Sequence, residues 1–435
     1  MDRLPPIYRI ERLQNCYYSS MNSMYQRAAE RLTAETLEAF RITVINGPRQ
    51  SGKTTIAQKI AAERGGRWLS MDDPTTLSAA RTDPLTLIED ARFVVVDEIQ
   101  RAGDPLLLSI KAAVDRNNQR GQFLLTGSSN FLTVPTLSDS LAGRVGLVDI
   151  WPLSQREIRA RLGAPNLLDQ LIDSSRAVRS LAPEPLPRAE YFELVCRGGF
   201  PEVQGLRRQQ RGRWFQSYFK TIVDREIREV ADVRQVDEMR QLLQLLMTLT
   251  AQELNLSRLS DLVHVSYGTA RQYLSFLSTV FTVVEIPPYS RNLTARASRR
   301  SKVYAGDSAM AAAALGTDPA SLSRPASPAA GPLLETFVAG EVLKLLGDSE
   351  IVWRLHHFRD RDGSEVDLVV EAPDGRVIGI EVKAAQSVTA SDFAGLRLMQ
   401  HRLGEAFAHG VVLYTGPRVL PFGDGLTALP ISALW

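Results

Sequence analysis

Three groups of residues in this 435-residue chain have the types and spacing that chemistry demands. The first is Gly47-Pro48-Arg49-Gln50-Ser51-Gly52-Lys53-Thr54, a G-x-x-x-x-G-K-[ST] run. Glycines there let backbone N–H groups close around phosphate oxygens, and a helix N-terminus adds partial positive charge. Lys53 should reach the β- and γ-phosphates of ATP, and the Thr54 hydroxyl should bind Mg²⁺. Gly47 through Thr55 form the expected nucleotide cradle. The second group is Asp97-Glu98, at the end of the apolar run Phe93-Val94-Val95-Val96. A carboxylate at the C-terminal end of a buried strand lies beside such a loop. Asp97 is expected to hold the metal, directly or through water, and Glu98 to orient and polarise an attacking water. The third group is Asp367, Glu381 and Lys383, where two carboxylates can bind Mg²⁺ and a lysine beside them can help deprotonate water.

The elements around the first two groups alternate between strand and helix, which is the pattern of a parallel sheet. Ile42-Thr43-Val44-Ile45 reads as a strand, and Thr55 to Ala62 as a helix stopped by Gly65-Gly66. Trp68 to Met71, Phe93 to Val96, Gln122 to Thr126 and Val145 to Ile150 read as further strands. Asp104-Pro105 opens a helix through Ala113, with aspartate as N-cap and proline at the first helical position. Thr126, Ser128 and Asn130 end a neighbouring strand, where a polar group can touch the γ-phosphate or the water, or simply form a turn. A short helix is expected from Leu137 to Ala142.

Composition narrows the class. Apolar residues make up 44% and charged residues 23%, as in ordinary globular domains, and the net charge of +2 gives no global pull towards nucleic acid or membrane. Cys16 and Cys196 are too few and too far apart for a disulfide framework or a zinc site. No apolar run is long enough to cross a membrane, and the expected location is cytoplasmic.

The motifs Gly47 to Thr55, Val96-Asp97-Glu98-Ile99-Gln100, Leu125-Thr126-Gly127-Ser128-Ser129 and Leu141-Ala142-Gly143-Arg144 resemble those of the AAA+ ATPases of the archaeal-type predicted ATPase family. Pro152-Leu153-Ser154 and Gly198-Gly199-Phe200-Pro201-Glu202 fit that resemblance too. It spans the chain from Met24 onward, and members carry a C-terminal domain of unknown function. The resemblance implies that Arg144 holds the arginine-finger position, stabilising γ-phosphate charge on a neighbouring subunit of a homo-oligomer. The alternative is an arginine paired with local carboxylates. It also implies that Pro201 lies against the nucleotide base, as in related signalling ATPases.

The expected fold class is α/β: a P-loop AAA+ core with a parallel sheet, a helical lid, a winged helix and a C-terminal α/β restriction-endonuclease-like domain. Expected boundaries are an N-terminal extension over 1–23, the core over 24–154, the lid over 155–235, the winged helix over 236–313, a linker over 314–332 and the last domain over 333–435. In the lid, the basic run Arg207 to Arg213 reads as a solvated helix face or a phosphate-facing patch. In the winged helix, Ser266 caps a helix from Tyr267 to Leu277 whose Tyr267, Thr269, Arg271 and Gln272 would face a DNA groove. A basic wing follows with Arg291, Arg296, Arg299, Arg300 and Lys302. The alternative is a module for protein contact. The Ala-, Ser- and Pro-rich stretch Pro319 to Pro332 reads as the linker. In the last domain a helix from Leu333 to Leu346 carries Glu335 and Glu341, and Glu341 could join the acidic site. Ile351 to Arg354 reads as a strand leading to His356-His357. Strand alternation puts Glu381 and Lys383 on one side, with Asp367 meeting them from the paired strand. The competing reading is a domain without catalysis, in which Glu381 and Lys383 pair on a solvated strand. The chain thus reads as an ATPase, as a DNA-binding regulator using ATP as a switch, or as an ATP-gated nuclease.

Overall fold

The computed structural model describes residues 25–89, 91–127, 143–173, 178, 180–222, 236–290, 300–360 and 362–435. The expected extension 1–23, Ser128, Ser129 and Asn130, the helix 137–142 and the wing arginines Arg291, Arg296 and Arg299 lie outside the described residues.

The chain opens with α1 (Ala28–Ala39) and β1 (Ile42–Asn46), then α2 (Lys53–Arg64), β2 (Arg67–Ser70), α3 (Pro74–Thr82), β3 (Val94–Asp97), α4 (Asp104–Arg116), β4 (Phe123–Gly127) and β5 (Val145–Asp149). The five strands form one parallel sheet in the order β2-β3-β4-β1-β5. Both faces are covered, so the strands are continuous apolar runs. Val44, Val96 and Leu125 face one core, and Ile45, Val95 and Leu124 face the other. Caps set the helix ends. Asp73 accepts from the Thr75 and Thr76 amides to start α3, and Gly65 closes α2 in the left-handed region. At α4 the N-cap is Gly103, and Asp104 sits in the first turn where its charge meets the helix dipole.

Among the described residues four helices follow: α5 (Gln155–Ile158), α6 (Leu167–Asp173), α7 (Arg188–Arg197) and α8 (Arg208–Thr221). The basic run at the start of α8 is partly internal, because Arg211 is buried against Glu193. Next come α9 (Val236–Thr248), β6 (Gln252–Glu253), α10 (Leu256–Leu262), α11 (Tyr267–Thr279), β7 (Val283–Ile286) and β8 (Lys302–Ala305). These strands form an antiparallel sheet in the order β6-β8-β7. Ser266 caps α11 through the Thr269 amide, 3.0 Å away.

The stretch read as a linker is folded. Ser308–Ala314 forms α12, Pro319–Leu322 forms α13 with Leu322 fully buried, and Ala330 already begins α14 (Ala330–Asp348). Alanine is the best helix former, and Asp318 caps α13 through the Ser321 amide. A composition that resembled a flexible tether is therefore a pair of helix starts. The strand expected over 351–354 forms later, as β9 (Arg354–Arg359). Then come β10 (Glu365–Glu371), β11 (Val377–Lys383), α15 (Ala394–Leu403), β12 (Phe407–Tyr414), β13 (Leu420–Gly423) and β14 (Leu426–Pro430). The order is β13-β14-β12-β11-β10-β9, mixed parallel and antiparallel. Helix α14 packs on the face of Leu368, Ile380 and Val411, and α15 packs on the opposite face of Val366, Val377 and Val412. Among the described residues one apolar cluster runs from Leu167 to Trp435 and joins the helices after the parallel sheet to the small sheet, α14 and one face of the six-stranded sheet.

Candidate nucleotide site

The G-x-x-x-x-G-K-[ST] run connects β1 to α2, so the loop lies at the C-terminal edge of the parallel sheet. Two glycines are required by geometry. A Cβ on Gly47 would stand 2.5 Å from the Ile150 carbonyl oxygen, and Gly52 caps α2 at φ +98. Lys53 is buried, and its Nζ donates to the carbonyls of Gly47 and Pro48, each at 2.9 Å. Burial pushes the Lys53 ammonium down to about 8, against the opposing pull of Glu98 and Asp97. A buried ammonium whose hydrogen bonds go to neutral carbonyls can donate to phosphate oxygens instead.

Asp97 ends β3 beside that loop. Its Oδ1 accepts from Thr54 Oγ1 at 3.0 Å and from Thr126 Oγ1 at 2.6 Å. Thr126 comes from β4, the neighbour of β3, so two adjacent strands and the N-terminus of α2 meet at one carboxylate oxygen. Burial raises the Asp97 carboxyl, and the hydroxyl of Thr126 opposes that shift. The donors here are neutral, so the negative charge of Asp97 stays available to a cation. These donors fit a magnesium ion held by Thr54 and Asp97.

Glu98 follows in the left-handed region at φ +56, a conformation that costs a non-glycine residue energy. The turn takes its side chain out of the strand direction, where Gln100 Nε2 donates to it. Its amide donates to Thr126 Oγ1 at 3.1 Å. Thr126 therefore braces the acidic pair.

A cavity of about 400 Å³ opens beside the loop, lined among others by Tyr25, Arg27, Gly52, Thr55, Ile56 and Pro201. Pro201 reaches it through the tightly pinned Gly198-Gly199-Phe200 turn. The Leu153 amide donates to Gly199 O at 2.7 Å, and the Gly199 amide donates to Asp307 at 2.8 Å. A Cβ on Gly199 would stand 2.3 Å from the Leu153 carbonyl oxygen, which explains the second glycine. Below it, Phe200, Trp214 and Tyr218 pack together, and Tyr218 Oη donates to the Arg49 carbonyl at 3.3 Å.

Sequence reasoning missed Arg27. Its buried guanidinium donates to Ser51 O at 2.6 Å, to Trp151 O at 2.7 Å and to Glu157 Oε1 at 2.9 Å. It ties the loop to the end of β5 and to α5. Only the Ser154-x-x-Glu157 capping box marks this place in the sequence, and it shows the partner rather than the arginine.

Arg144 stands elsewhere. Its carbonyl accepts from the Ile42 amide at 3.2 Å, at the start of β1, and its Nε lies 2.5 Å from Asp115 Oδ1. The strand β1 rises about 3.3 Å per residue, so some 16 Å separate Arg144 from its own loop. An arginine side chain does not span that. Contact between Arg144 and a γ-phosphate requires a second molecule.

The third group is divided. Asp367 Oδ1 lies 3.2 Å from Lys302 Nζ, and its Oδ2 accepts from the Val382 amide at 2.9 Å. Glu381 accepts from the Asp367 amide at 3.2 Å and from Lys383 Nζ at 3.0 Å. By alternation, Glu381 and Lys383 share the face of Val377, which α15 covers. Glu341 does not join them; it accepts from the Gln155 amide at 2.7 Å and from Lys344 at 2.9 Å. Glu335, six residues earlier on α14, is the helix carboxylate that reaches Asp367's neighbourhood, through Lys302 at 2.6 Å. Lys302 is thus no wing cation, because it opens β8 and is buried. Burial, then the charge of Asp367, raise the carboxyls of both Glu335 and Glu381. Burial would lower the Lys302 ammonium, but Glu335 and Asp367 outweigh it and raise it. His356 and His357 are both buried.

Residues 39–159 match the family model for the AAA domain. Residues 188–321 and 330–434 match two domains of unknown function, DUF8612 and DUF4143. The match to the AAA domain covers the loop, Asp97-Glu98, Thr126 and Arg144. The uncharacterized proteins Rv2008c of Mycobacterium tuberculosis and Mb2031c of Mycobacterium bovis are each 27% identical over 408 residues, covering 94% of this chain and 83% of theirs. Among solved structures, the Walker-type ATPase PABY2304 of Pyrococcus abyssi is 17% identical with a TM-score of 0.40, covering 66% of this chain and 94% of that one. The RuvB Holliday junction branch migration motor of Thermotoga maritima is 19% identical with a TM-score of 0.28, covering 60% and 89%. AMPPCP-bound DnaA of Aquifex aeolicus is 14% identical with a TM-score of 0.25, covering 57% and 86%. Among the described residues no helix is long and apolar enough to cross a membrane.

Proposed function

We propose that this chain is an ATPase that hydrolyses ATP to ADP and phosphate with Mg²⁺. The observation that carries this reading is the meeting of Thr54, Asp97 and Thr126 at one carboxylate oxygen beside the buried Lys53. Lys53 would exchange its two carbonyl partners for phosphate oxygens. Thr54 and Asp97 would hold the metal, which supplies charge neutralisation for the phosphates when bound. Glu98 would leave Gln100 and orient water for attack on the γ-phosphorus as the bond to the bridging oxygen breaks. Pro201 and the cavity beside it suit the nucleotide base. Arg144, unable to reach its own loop, would serve the site of a second copy, which makes the working form a homo-oligomer.

Coupling to DNA is the finer part of the proposal. Helices α9 to α11 with the β6-β8-β7 sheet support a winged-helix reading, and Tyr267 stands exposed at the start of α11. Arg271 pairs with Glu285 at 3.2 Å, so it is not held ready for a phosphate. Phosphate release from ATP and Mg²⁺, measured with and without duplex and single-stranded DNA, tests both parts. Turnover that rises with DNA supports the whole reading. Turnover without a DNA effect keeps the ATPase and removes the DNA partner, and tight ATP binding without turnover leaves a conformational switch.

A further inference from the structure

We propose that the ammonium of Lys302 is the resident cation of the acidic centre formed by Glu335 and Asp367, and that it stands where the sequence places a divalent metal. Three elements meet there. Lys302 opens β8, Glu335 lies on α14, and Asp367 lies on β10. Lys302 Nζ is 2.6 Å from Glu335 Oε1 and 3.2 Å from Asp367 Oδ1. Tyr304, two residues along the strand and so on the same face, donates to the same Glu335 oxygen at 2.7 Å.

A magnesium or manganese ion needs free oxygen lone pairs in a near-octahedral shell. Here the chain's own donors already occupy part of that shell. Both oxygens of Asp367 and both of Glu381 accept from lysines or backbone amides, and Glu335 Oε1 receives two donors. Among the described residues no set of three or more His, Cys, Asp or Glu is arranged to hold a metal. Charge counting agrees. Two carboxylates around one ammonium leave one negative charge, and around one divalent ion they leave none. Both cations together would leave a buried positive charge, which a dry interior disfavours. Ammonium and divalent ion are therefore alternatives at this place, and Lys302 is covalently present.

The ammonium also joins parts of the chain. It links the three-stranded sheet to α14 and to the six-stranded sheet, in continuity with their shared apolar core. Swinging the small sheet away would strand a buried ammonium and two carboxylates. The two units therefore move as one body, with Lys302, Glu335 and Asp367 as the lock between them.

Electron paramagnetic resonance counts bound Mn²⁺ directly in the nucleotide-free full chain. Asp367→Asn should bind as many Mn²⁺ ions as wild type. Lys302→Met should bind one more, and Lys302→Met with Asp367→Asn should lose that extra ion. If Lys302→Met does not fold, Lys302→Gln takes its place and is judged the same way; the comparison of wild type with Asp367→Asn is decisive without either. One ion fewer in Asp367→Asn than in wild type overturns the proposal. So does a folded Lys302 variant that gains no ion.

Discussion

The molecule contains two centres built from the same parts, a lysine and carboxylates at strand ends, and they differ in how their charges are met. At the nucleotide-site loop, Lys53 donates to two carbonyls and Asp97 accepts from two hydroxyls. Neither charge is neutralised by its hydrogen-bond partners. At the C-terminal centre, Lys302 and Lys383 stand against Glu335, Asp367 and Glu381 at 2.6 to 3.2 Å. A centre whose charges meet only neutral donors and acceptors can take a charged ligand, and one whose charges are paired with opposite charges of the chain holds the fold together. Residue type alone does not separate the two; the partners do.

Substitution should give the centres opposite signatures. Glu98→Gln should still bind ATP but turn over on the order of 10²–10⁴-fold more slowly, the range of a lost general base. Phosphate release and fluorescent-nucleotide binding read the two effects separately, and wild-type turnover would remove Glu98 from its role. Lys302→Ala should cost about 3–5 kcal/mol of stability, since breaking a buried pair leaves an uncompensated charge. Lys302→Met with Glu335→Gln should recover much of that. Lys53→Met should not destabilise at neutral pH, because its ammonium is held against burial without a paired carboxylate, though ATP binding should be lost. Denaturant melts of these variants break the comparison if Lys53 and Lys302 behave alike.

Acid should loosen the closed centre's surroundings. His357 bridges the small sheet and the C-terminal domain: its amide donates to Pro287 O at 3.0 Å and its Nε2 lies 3.1 Å from Arg300 O. Burial, then Lys302, His356 and Arg359, push its imidazole from 6.5 down to about 4. The folded chain therefore binds fewer protons than the unfolded chain between those values. Stability is fully present above pH 6.5 and falls as the pH drops towards 4, by roughly 3 kcal/mol from this group. His357→Gln should flatten that part of the stability–pH curve. A curve of unchanged slope would contradict the assignment.

The smallest effect belongs to Arg144. Its pair with Asp115 is partly solvent-exposed, so Arg144→Ala should change stability by less than about 1 kcal/mol. If it acts on a second copy, turnover per chain should rise with protein concentration, and mixing Arg144→Ala with Lys53→Ala should restore part of the activity. No rescue, with a monomeric mass in ATP, would leave it a local pairing residue.

The parallel sheet was readable because its strands are short apolar runs ending in motifs of fixed spacing. Lys53, Thr54, Asp97 and Thr126 could be named from those motifs alone. Arg27 could not, since nothing local distinguishes an arginine that meets its partners 24 and 130 residues away. Lys302 reads as part of a basic wing because it follows a run of arginines. Its membership of the strand, with Tyr304 at the same parity, was the overlooked signal. Glu341 and Glu335 differ by six residues on one helix, which turns them to different sides. Helical pattern alone does not tell which side meets Asp367. Pro319 to Pro332 looked like a tether because composition does not register a cap such as Asp318.

The most direct test of the contrast is phosphate release from ATP with Mg²⁺ by wild type, Glu98→Gln and Lys383→Ala side by side. The account predicts turnover by wild type, its collapse in Glu98→Gln and an unchanged rate in Lys383→Ala. Absent turnover in wild type, or equal rates in wild type and Glu98→Gln, would contradict it.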